Sequence, residues 1–222
     1  MSKLLNEHAK GVYIIAATPF FDDDSIDYDS LDRLTDFYLE KGVSGITILG
    51  MMGEAQKLSP DESKNVMNRV IKRVDGRVPV IVGVSNPDIK KLIKLSNSAM
   101  AAGAAGIMVA PNSSHHNDET IFNYYVEVDK ALESKIPMIY QDFPLVTKAP
   151  ISLDCLMRII REIPQVVMLK HEDWPGLEKL SELRSRSKAE GLRRISILCG
   201  NGGLYLPQEL SRGADGAMTG FA

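Results

Sequence analysis

The sequence predicts a (β/α)₈ barrel, the TIM-barrel fold of the α/β class. Eight short apolar runs recur along the chain, an amphipathic stretch follows each of the first seven, and a glycine pattern repeats where helices meet strands. Alternating strands and helices form parallel sheets, and eight such units close into a barrel. An open, Rossmann-type sheet is the alternative fold, but no Gly-x-Gly-x-x-Gly motif follows the first run.

The apolar runs are the predicted strands. They are rich in Val and Ile and too short for helices, and unbroken apolarity is typical of parallel strands that are buried on both faces. In chain order they are Val12–Ala17, Gly45–Leu49, Val78–Gly83, Gly106–Ala110, Pro137–Tyr140, Val166–Lys170, Ile195–Cys199 and Gly216–Thr219.

Helices are predicted between these runs. Four of them follow residues that are common at helix N-caps: Asp29, Ser59, Asp118 and Ser152. Glu62 stands three residues after Ser59, which is the spacing of a capping box.

A weak internal repeat marks the passage from helix to strand. In three places a glycine ends a helix and a second glycine, three residues later, opens a strand. Glycine suits the left-handed conformation that terminates a helix before the chain turns back into the sheet. The paired glycines are Gly42 and Gly45, Gly103 and Gly106, and Gly213 and Gly216.

Composition limits the class of protein. The chain of 222 residues has a net charge of −3, which gives no reason to expect a nucleic-acid or anionic-membrane partner. No apolar run is long enough to span a bilayer, and residues 1–10 lack the apolar core of a signal peptide. Cys155 and Cys199 form no Cys-x-x-Cys motif, so a disulfide framework is not expected and a cytoplasmic location is.

The chain is predicted to form one domain, residues 1–222, that is truncated at its C-terminus. It stops at Ala222, just after the eighth run, and therefore lacks the eighth helix. Leaving the outer face of that strand uncovered should cost several kcal/mol, at about 25 cal/mol per Å² of apolar surface. We therefore expect the natural protein to continue with at least one more helix.

Active sites of such barrels lie at the C-terminal ends of the strands, so the residues that follow the runs are the candidates. These segments are Thr18–Phe20, Gly50–Glu54, Pro111–His116, Tyr140–Pro144, Lys170–Trp174 and Gly200–Gly203.

Lys170 is the strongest single candidate. It closes the apolar run that begins at Val166, at the rim where catalysis is expected. Desolvation there would lower the pKa of the amine and leave it neutral and nucleophilic. The alternative is a strand-end lysine that only reaches out to water. As a rim residue it is expected to be exposed, so its removal should cost little packing.

The order of motifs at the strand ends resembles the dihydrodipicolinate synthase / N-acetylneuraminate lyase family. Thr18-Pro19-Phe20 is followed by Gly50-x-x-Gly53-Glu54, by a tyrosine segment that ends at Pro144, and by the apolar strand that ends in Lys170. The resemblance covers the chain from residue 11 to its end.

The resemblance implies a lyase of the class I aldolase type. Lys170 would form a Schiff base with pyruvate or another 2-keto acid, with no cofactor and no metal. It also implies substrate contacts from the Gly50–Gly53 loop and from Gly200 and its neighbour Asn201, and a homo-oligomer, either a tetramer or a dimer.

The Gly50–Gly53 loop departs from the family pattern. The family usually has two threonines between the glycines, whereas this chain has Met51 and Met52. The glycines would still let backbone N–H groups cradle a carboxylate, but the hydroxyls that would relay protons are missing. The methionines predict a more apolar pocket; the alternative is that they only fill space.

The position of the family tyrosine is ambiguous. Tyr140 takes it if one residue is inserted before Pro144, and Gln141 takes it if the two sequences are aligned without a gap. Tyr140 is the candidate proton-relay residue; otherwise it is a packed strand residue.

Two further losses concern the substrate. The arginine that binds the aldehyde's carboxylate in the synthases has no counterpart after Pro144, where Lys148 could act only as a point charge. The aromatic pair usual after the fourth strand is replaced by Asn112–His116. These losses argue against true dihydrodipicolinate synthase activity and favour another keto acid.

Three other functions stay open. The chain could be a catalytically weakened barrel that binds a keto acid, or a phosphate-binding barrel enzyme that uses Gly200–Gly203. It could also be a metal-dependent aldolase built on Glu172 or Asp173 with a histidine; His171, Glu172 and Asp173 directly follow Lys170. Successive strand-end residues point in different directions, which argues against joint chelation by these three.

Overall fold

Eight parallel strands close into a barrel in the computed structural model, which describes residues 4–133, 135–174 and 176–220. β1 pairs with β2 on one side and with β8 on the other, so the predicted barrel is confirmed and the open sheet is excluded. The strands are β1 Gly11–Ile15, β2 Gly45–Ile48, β3 Val80–Gly83, β4 Gly106–Val109, β5 Met138–Asp142, β6 Val166–His171, β7 Ser196–Cys199 and β8 Gly216–Thr219.

Helices cover the outside of the sheet after each of the first seven strands. Their bounds are α1 Tyr28–Glu40, α2 Pro60–Val74, α3 Ile89–Ala102, α4 Asp118–Ala131, α5 Pro144–Thr147, α6 Leu153–Glu162, α7 Leu177–Ala189 and α8 Leu206–Ser211. In the part of the chain that the structure describes, no helix is long and apolar enough to cross a membrane.

Two of the predicted caps are confirmed. Ser59 accepts from the N–H of Glu62 in a reciprocal capping box, and Ser152 caps α6. The caps predicted at Asp29 and Asp118 are wrong, because those side chains lie in the first turn of their helices. The capping side chains of α1 and α4 are instead Asp27 and Asn117.

The glycine repeat has the conformation that the sequence predicted. Gly42, Gly103 and Gly213 have φ angles of 73°, 104° and 95°, in the left-handed region. The second glycine is needed for space: a Cβ on Gly45 would lie 2.3 Å from the ring of Tyr13.

Strand residues alternate between two apolar layers. One layer fills the barrel interior, and the other lies between the sheet and the helices. The apolar strand residues of the interior layer are Tyr13, Ile15, Ile81, Met108, Ile139, Val167, Met168, Leu198 and Met218; Val167 and Met168 are adjacent because the pairing of β5 with β6 shifts register there. This alternation decides which residue at each strand end can face the mouth of the barrel.

The outer face near β8 has one exposed apolar residue, whereas Ala217 and Thr219 of β8 itself are buried. Val12 points outward from β1, which pairs with β8, and is 41% exposed. Ala222, after which a further helix is expected, lies outside the described residues. The expectation of a further C-terminal helix stays a prediction.

Candidate active site

Lys170 points into the barrel near the end of β6. It lies two residues after Met168, an interior residue, and is only 5% exposed. The expectation of an exposed rim lysine is therefore wrong, since the strand continues past it to His171. Burial lowers the pKa of the Lys170 amine, although the charge and hydrogen bond of Glu172 act against that shift.

Glu172 is the partner of Lys170. Its Oε2 atom lies 3.2 Å from Lys170 Nζ, and both side chains are 7% exposed. Gln141 Nε2 donates to the same Oε2 at 2.8 Å, and the backbone N–H of Asn201 donates to Oε1 at 3.2 Å. Three strand ends, those of β5, β6 and β7, thus fix one carboxylate against one amine.

Gly200 makes room for this carboxylate. A Cβ at that position would lie 2.2 Å from Cγ and 2.7 Å from Cδ of Glu172. The backbone of Gly200, with φ −103° and ψ −141°, is not in the left-handed region. Space for Glu172, and not backbone freedom, is therefore the reason for a glycine here.

A cavity of about 200 Å³ opens onto the pair. Most of its walls come from the carboxyl ends of strands and the loops that follow them. The lining residues are Ile15, Met51, Met52, Phe143, Lys170, Glu172, Asn201, Gly202, Met218, Thr219 and Gly220. Of the predicted site residues, Met51, Met52, Lys170 and Asn201 line it directly.

The Gly50–Gly53 loop presents its methionines to this cavity. Met51 and Met52 are 41% and 44% exposed, and Gly53 closes the turn by donating from its N–H to the carbonyl of Gly50. Among the described residues, no protein acceptor faces the N–H groups of Met51 and Met52. Two backbone donors are therefore free to bind an anion beside the cavity.

Tyr140 does not lie in the site. Its side chain points outward, stacks on Tyr125 with ring centroids 4.8 Å apart, and is fully buried. Burial raises the pKa of its hydroxyl, which has no hydrogen-bond partner among the described residues. The proton-relay role predicted for Tyr140 conflicts with this placement, because the next residue, Gln141, is the one that faces inward toward Lys170.

The two residues beside Glu172 point elsewhere. His171 lies on the outer side, where its Nδ1 atom is 3.0 Å from Glu209 Oε1. Asp173 binds Lys179, whose Nζ atom also lies 2.7 Å from Asp142. The expectation that neighbouring strand-end residues diverge is met, and no group of three acidic, histidine or cysteine side chains within residues 4–133, 135–174 and 176–220 could hold a metal ion.

Lys148 is not placed to replace the missing arginine. Its side chain is exposed and donates to the carbonyl of Leu145 at 2.7 Å, and it does not line the cavity.

Sequence reasoning missed two kinds of site residue. Glu172 was considered only as a metal ligand, although residues two apart in a strand share a face, which places it beside Lys170. Ile15 and Met218 show the same signal, as inward positions near the ends of β1 and β8. Phe143 has no such signal, since it follows β5 in an irregular turn.

Comparison with known proteins agrees with the resemblance that the sequence motifs indicate. The family model of the dihydrodipicolinate synthetase family matches residues 8–222. The crystal structure of a dihydrodipicolinate synthase from Rhodopseudomonas palustris is 48% identical with a TM-score of 0.96, covering 99% of this chain and 73% of that one.

Two further relatives are more distant. A 4-hydroxy-tetrahydrodipicolinate synthase of Sorangium cellulosum is 32% identical over 211 residues, 94% of this chain and 67% of the relative. A prophage protein of the dihydrodipicolinic acid synthase family from E. coli K12, solved in complex with pyruvate, is 25% identical with a TM-score of 0.83, covering 95% of this chain and 69% of that one.

Proposed function

Because the chain belongs to the dihydrodipicolinate synthetase family, we propose that Lys170 forms a Schiff base with pyruvate or another 2-keto acid. The predicted resemblance is confirmed, and the family makes the chain an aldolase-type lyase. The observation that carries the proposal is the buried Lys170 amine, with a lowered pKa, on the wall of the cavity at the catalytic end of the barrel.

The geometry suits carbonyl chemistry at this amine. A neutral Lys170 uses its lone pair to form a bond to C2 of the keto acid, and the carbonyl π pair moves to oxygen. Loss of that oxygen as water leaves a C=N bond to Nζ. The iminium then withdraws electrons from C2, which makes removal of a C3 proton or cleavage of the bond beyond C3 easier.

The carboxylate of the keto acid would bind at the Gly50–Gly53 loop. The free N–H groups of Met51 and Met52 support this placement, since backbone donors in a tight turn bind anions. The methionine side chains make that side of the cavity apolar, and the cavity of about 200 Å³ suits a small keto acid.

Two alternative functions fit the site less well. A phosphate at Gly200–Gly203 would compete with Glu172, whose Oε1 atom already accepts from the N–H of Asn201. A weakened binding barrel would not require a buried amine at 3.2 Å from a buried carboxylate. Turnover, and not binding, separates a lyase from that second alternative.

The cellular location and the oligomeric state that the sequence analysis predicts are part of the proposal. Cys155 and Cys199 are buried free thiols, which supports a reducing, cytoplasmic location. A homo-oligomer is supported by the family resemblance alone.

Borohydride trapping tests the proposal. The protein is incubated with pyruvate, 2-ketobutyrate or 2-ketoglutarate, reduced with borohydride, and measured by intact-protein mass spectrometry. At least one keto acid is expected to add one equivalent, because burial lowers the pKa of the Lys170 amine and so raises its neutral fraction. Protein treated with borohydride alone is the control, and the absence of any adduct across the panel would refute the proposed function.

Tyr140→Phe is expected to leave catalysis unchanged. Its hydroxyl is buried without a partner among the described residues, so its loss should change the reaction rate by less than about twofold and should not lower the stability, since an unsatisfied buried polar group costs about 1–3 kcal/mol. Exchange of the pyruvate methyl protons with D₂O, followed by NMR, measures the rate. Tyr125→Phe is the matched control for stability, since it removes a hydrogen bond to the carbonyl of Val109, worth about 1 kcal/mol. A large loss of exchange in Tyr140→Phe would return the relay role to that residue.

A further inference from the structure

We propose that Glu172 is the catalytic residue that transfers protons during the reaction at Lys170. This inference rests on the proposed Schiff base and names a group that the family resemblance did not supply. Tyr140, the residue expected to relay protons, lies in the outer layer, and the threonine hydroxyls of the family loop are replaced by Met51 and Met52. The site therefore needs another acid and base.

Position is the first argument for Glu172. Its Oε2 atom is 3.2 Å from Lys170 Nζ, the atom that forms the Schiff base, and the side chain lines the same cavity. A group that takes or gives a proton must lie within hydrogen-bond reach of the reacting atoms. C2 of a bound keto acid is bonded to Nζ, so the leaving oxygen on C2 and the protons on C3 lie within the reach of this carboxylate.

Orientation is the second argument. Gln141 holds Oε2 at 2.8 Å and the N–H of Asn201 holds Oε1 at 3.2 Å, so the carboxylate is fixed before substrate arrives. Gly200 leaves the volume that Glu172 occupies. A carboxylate that only balanced the charge of Lys170 would not need to be held in one orientation by the Gln141 amide and the N–H of Asn201, nor given room by Gly200. Gln141 and Gly200 are accordingly positioning residues.

The proton transfers balance through one carboxyl group. Glu172 first takes a proton from the ammonium of Lys170, which gives a neutral amine and a carboxylic acid. The amine adds to C2, and its surplus proton passes to the carbonyl oxygen to give a carbinolamine. The Glu172 acid then protonates that hydroxyl, which leaves as water and gives an iminium facing a carboxylate.

The same carboxylate completes the sequence. It removes a proton from C3, the C–H pair becomes the C2–C3 π bond, and the iminium π pair returns to nitrogen as an enamine. Glu172 is then a carboxylic acid again, ready to return the proton to C3. No oxidant, reductant or metal is required for any of these steps.

The test separates Schiff-base formation from proton transfer at C3. Wild-type protein, Glu172→Gln, Glu172→Asp and Asp173→Asn are each incubated with the keto acid of the panel that gives the wild-type adduct, written here as pyruvate. One sample is reduced with borohydride and weighed by mass spectrometry, and another is followed by NMR for exchange of the methyl protons with D₂O. Asp173 is the matched control, because it is the adjacent carboxylate but binds Lys179 at 3.0 Å.

Glu172→Gln is expected to retain the equilibrium adduct on Lys170 while the exchange rate falls by about 10²-fold or more, the usual contribution of a general base. Glu172→Asp keeps the charge but withdraws it by one methylene, so exchange should also fall while the adduct persists. Asp173→Asn should exchange like wild type. Circular dichroism of each variant checks the fold, and the aspartate variant carries the test if the glutamine variant does not fold.

The two proposals fail in distinguishable ways. A wild-type protein that forms no adduct with any keto acid of the panel, and exchanges none of their C3 protons, overturns the proposed function and Glu172's role with it. A wild-type adduct together with exchange in folded Glu172→Gln and Glu172→Asp within about threefold of wild type overturns only the role of Glu172. Exchange lost equally in Asp173→Asn would also overturn it, by showing that the effect is not specific to this carboxylate.

Discussion

Lys170→Ala is expected to abolish both the borohydride adduct and the exchange of pyruvate methyl protons. Without the Nζ amine no C=N bond can form, so C3 loses the electron withdrawal that makes its protons acidic. Removal of a catalytic nucleophile commonly costs about 10³-fold or more in rate. The exchange should fall to the rate of buffer with pyruvate, measured by the same NMR experiment.

Lys148→Ala is the matched control for this variant. Lys148 follows α5, at the catalytic end of β5, but it is exposed, and among the described residues its amine donates to the carbonyl of Leu145. It should keep the wild-type adduct and exchange. Residual adduct in Lys170→Ala, or its loss in Lys148→Ala, would contradict the assignment.

Lys170→Ala should also lower the free energy of unfolding. It leaves the buried carboxylate of Glu172 without its cation, and breaking a buried pair costs about 3–5 kcal/mol. Denaturant unfolding of Lys170→Ala, Glu172→Gln and the double variant measures the coupling between the two side chains. The double variant should recover part of the loss, since no buried charge is left unpaired.

Gly200→Ala is expected to disable the site without touching Lys170. The added Cβ would lie 2.2 Å from Glu172 Cγ, so the side chain must move away from the amine. Exchange of the pyruvate methyl protons should fall toward the rate of Glu172→Gln, while borohydride still traps the adduct. Overpacking of this kind also destabilises by about 1–3 kcal/mol, which thermal melting would detect.

A double-mutant cycle distinguishes this effect from general damage. If Gly200→Ala acts through Glu172, then Gly200→Ala combined with Glu172→Gln should exchange no more slowly than Glu172→Gln alone. Independent, additive losses would show that the alanine harms the site in another way. Wild-type exchange in Gly200→Ala would show that the observed position of Glu172 is not needed.

The barrel could be predicted from the sequence because its signals are local. Each strand is a short apolar run, and the glycines at the ends of helices mark the turns back into the sheet, as Gly42, Gly103 and Gly213 show. Exact ends were harder to predict. β5 continues two residues past Tyr140, to Asp142, because ladder pairing with β6 extends an element whose polar residues suggested a loop.

The direction in which strand side chains point was harder to predict than the barrel itself, because it depends on the register between strands. Whether Tyr140 or Gln141 faces Lys170 follows from the pairing of Gln141 with Lys170, and the ladder is irregular near Met138 and Ile139. A shift of one residue turns every side chain to the other face. The position of Glu172 could have been predicted from the sequence. It lies two residues after Lys170, and strand residues two apart share a face.

Peptide mapping of the reduced adducts formed with the panel of 2-keto acids tests the central claim most directly. Burial alone would lower the pKa of Lys179, but the charges and hydrogen bonds of Asp142 and Asp173 raise it overall, so we expect no adduct on this amine. Lys170 has the opposite shift. The modification is predicted on the peptide that contains Lys170 and on no other lysine; an adduct on Lys179, on another lysine, or on none would contradict the account.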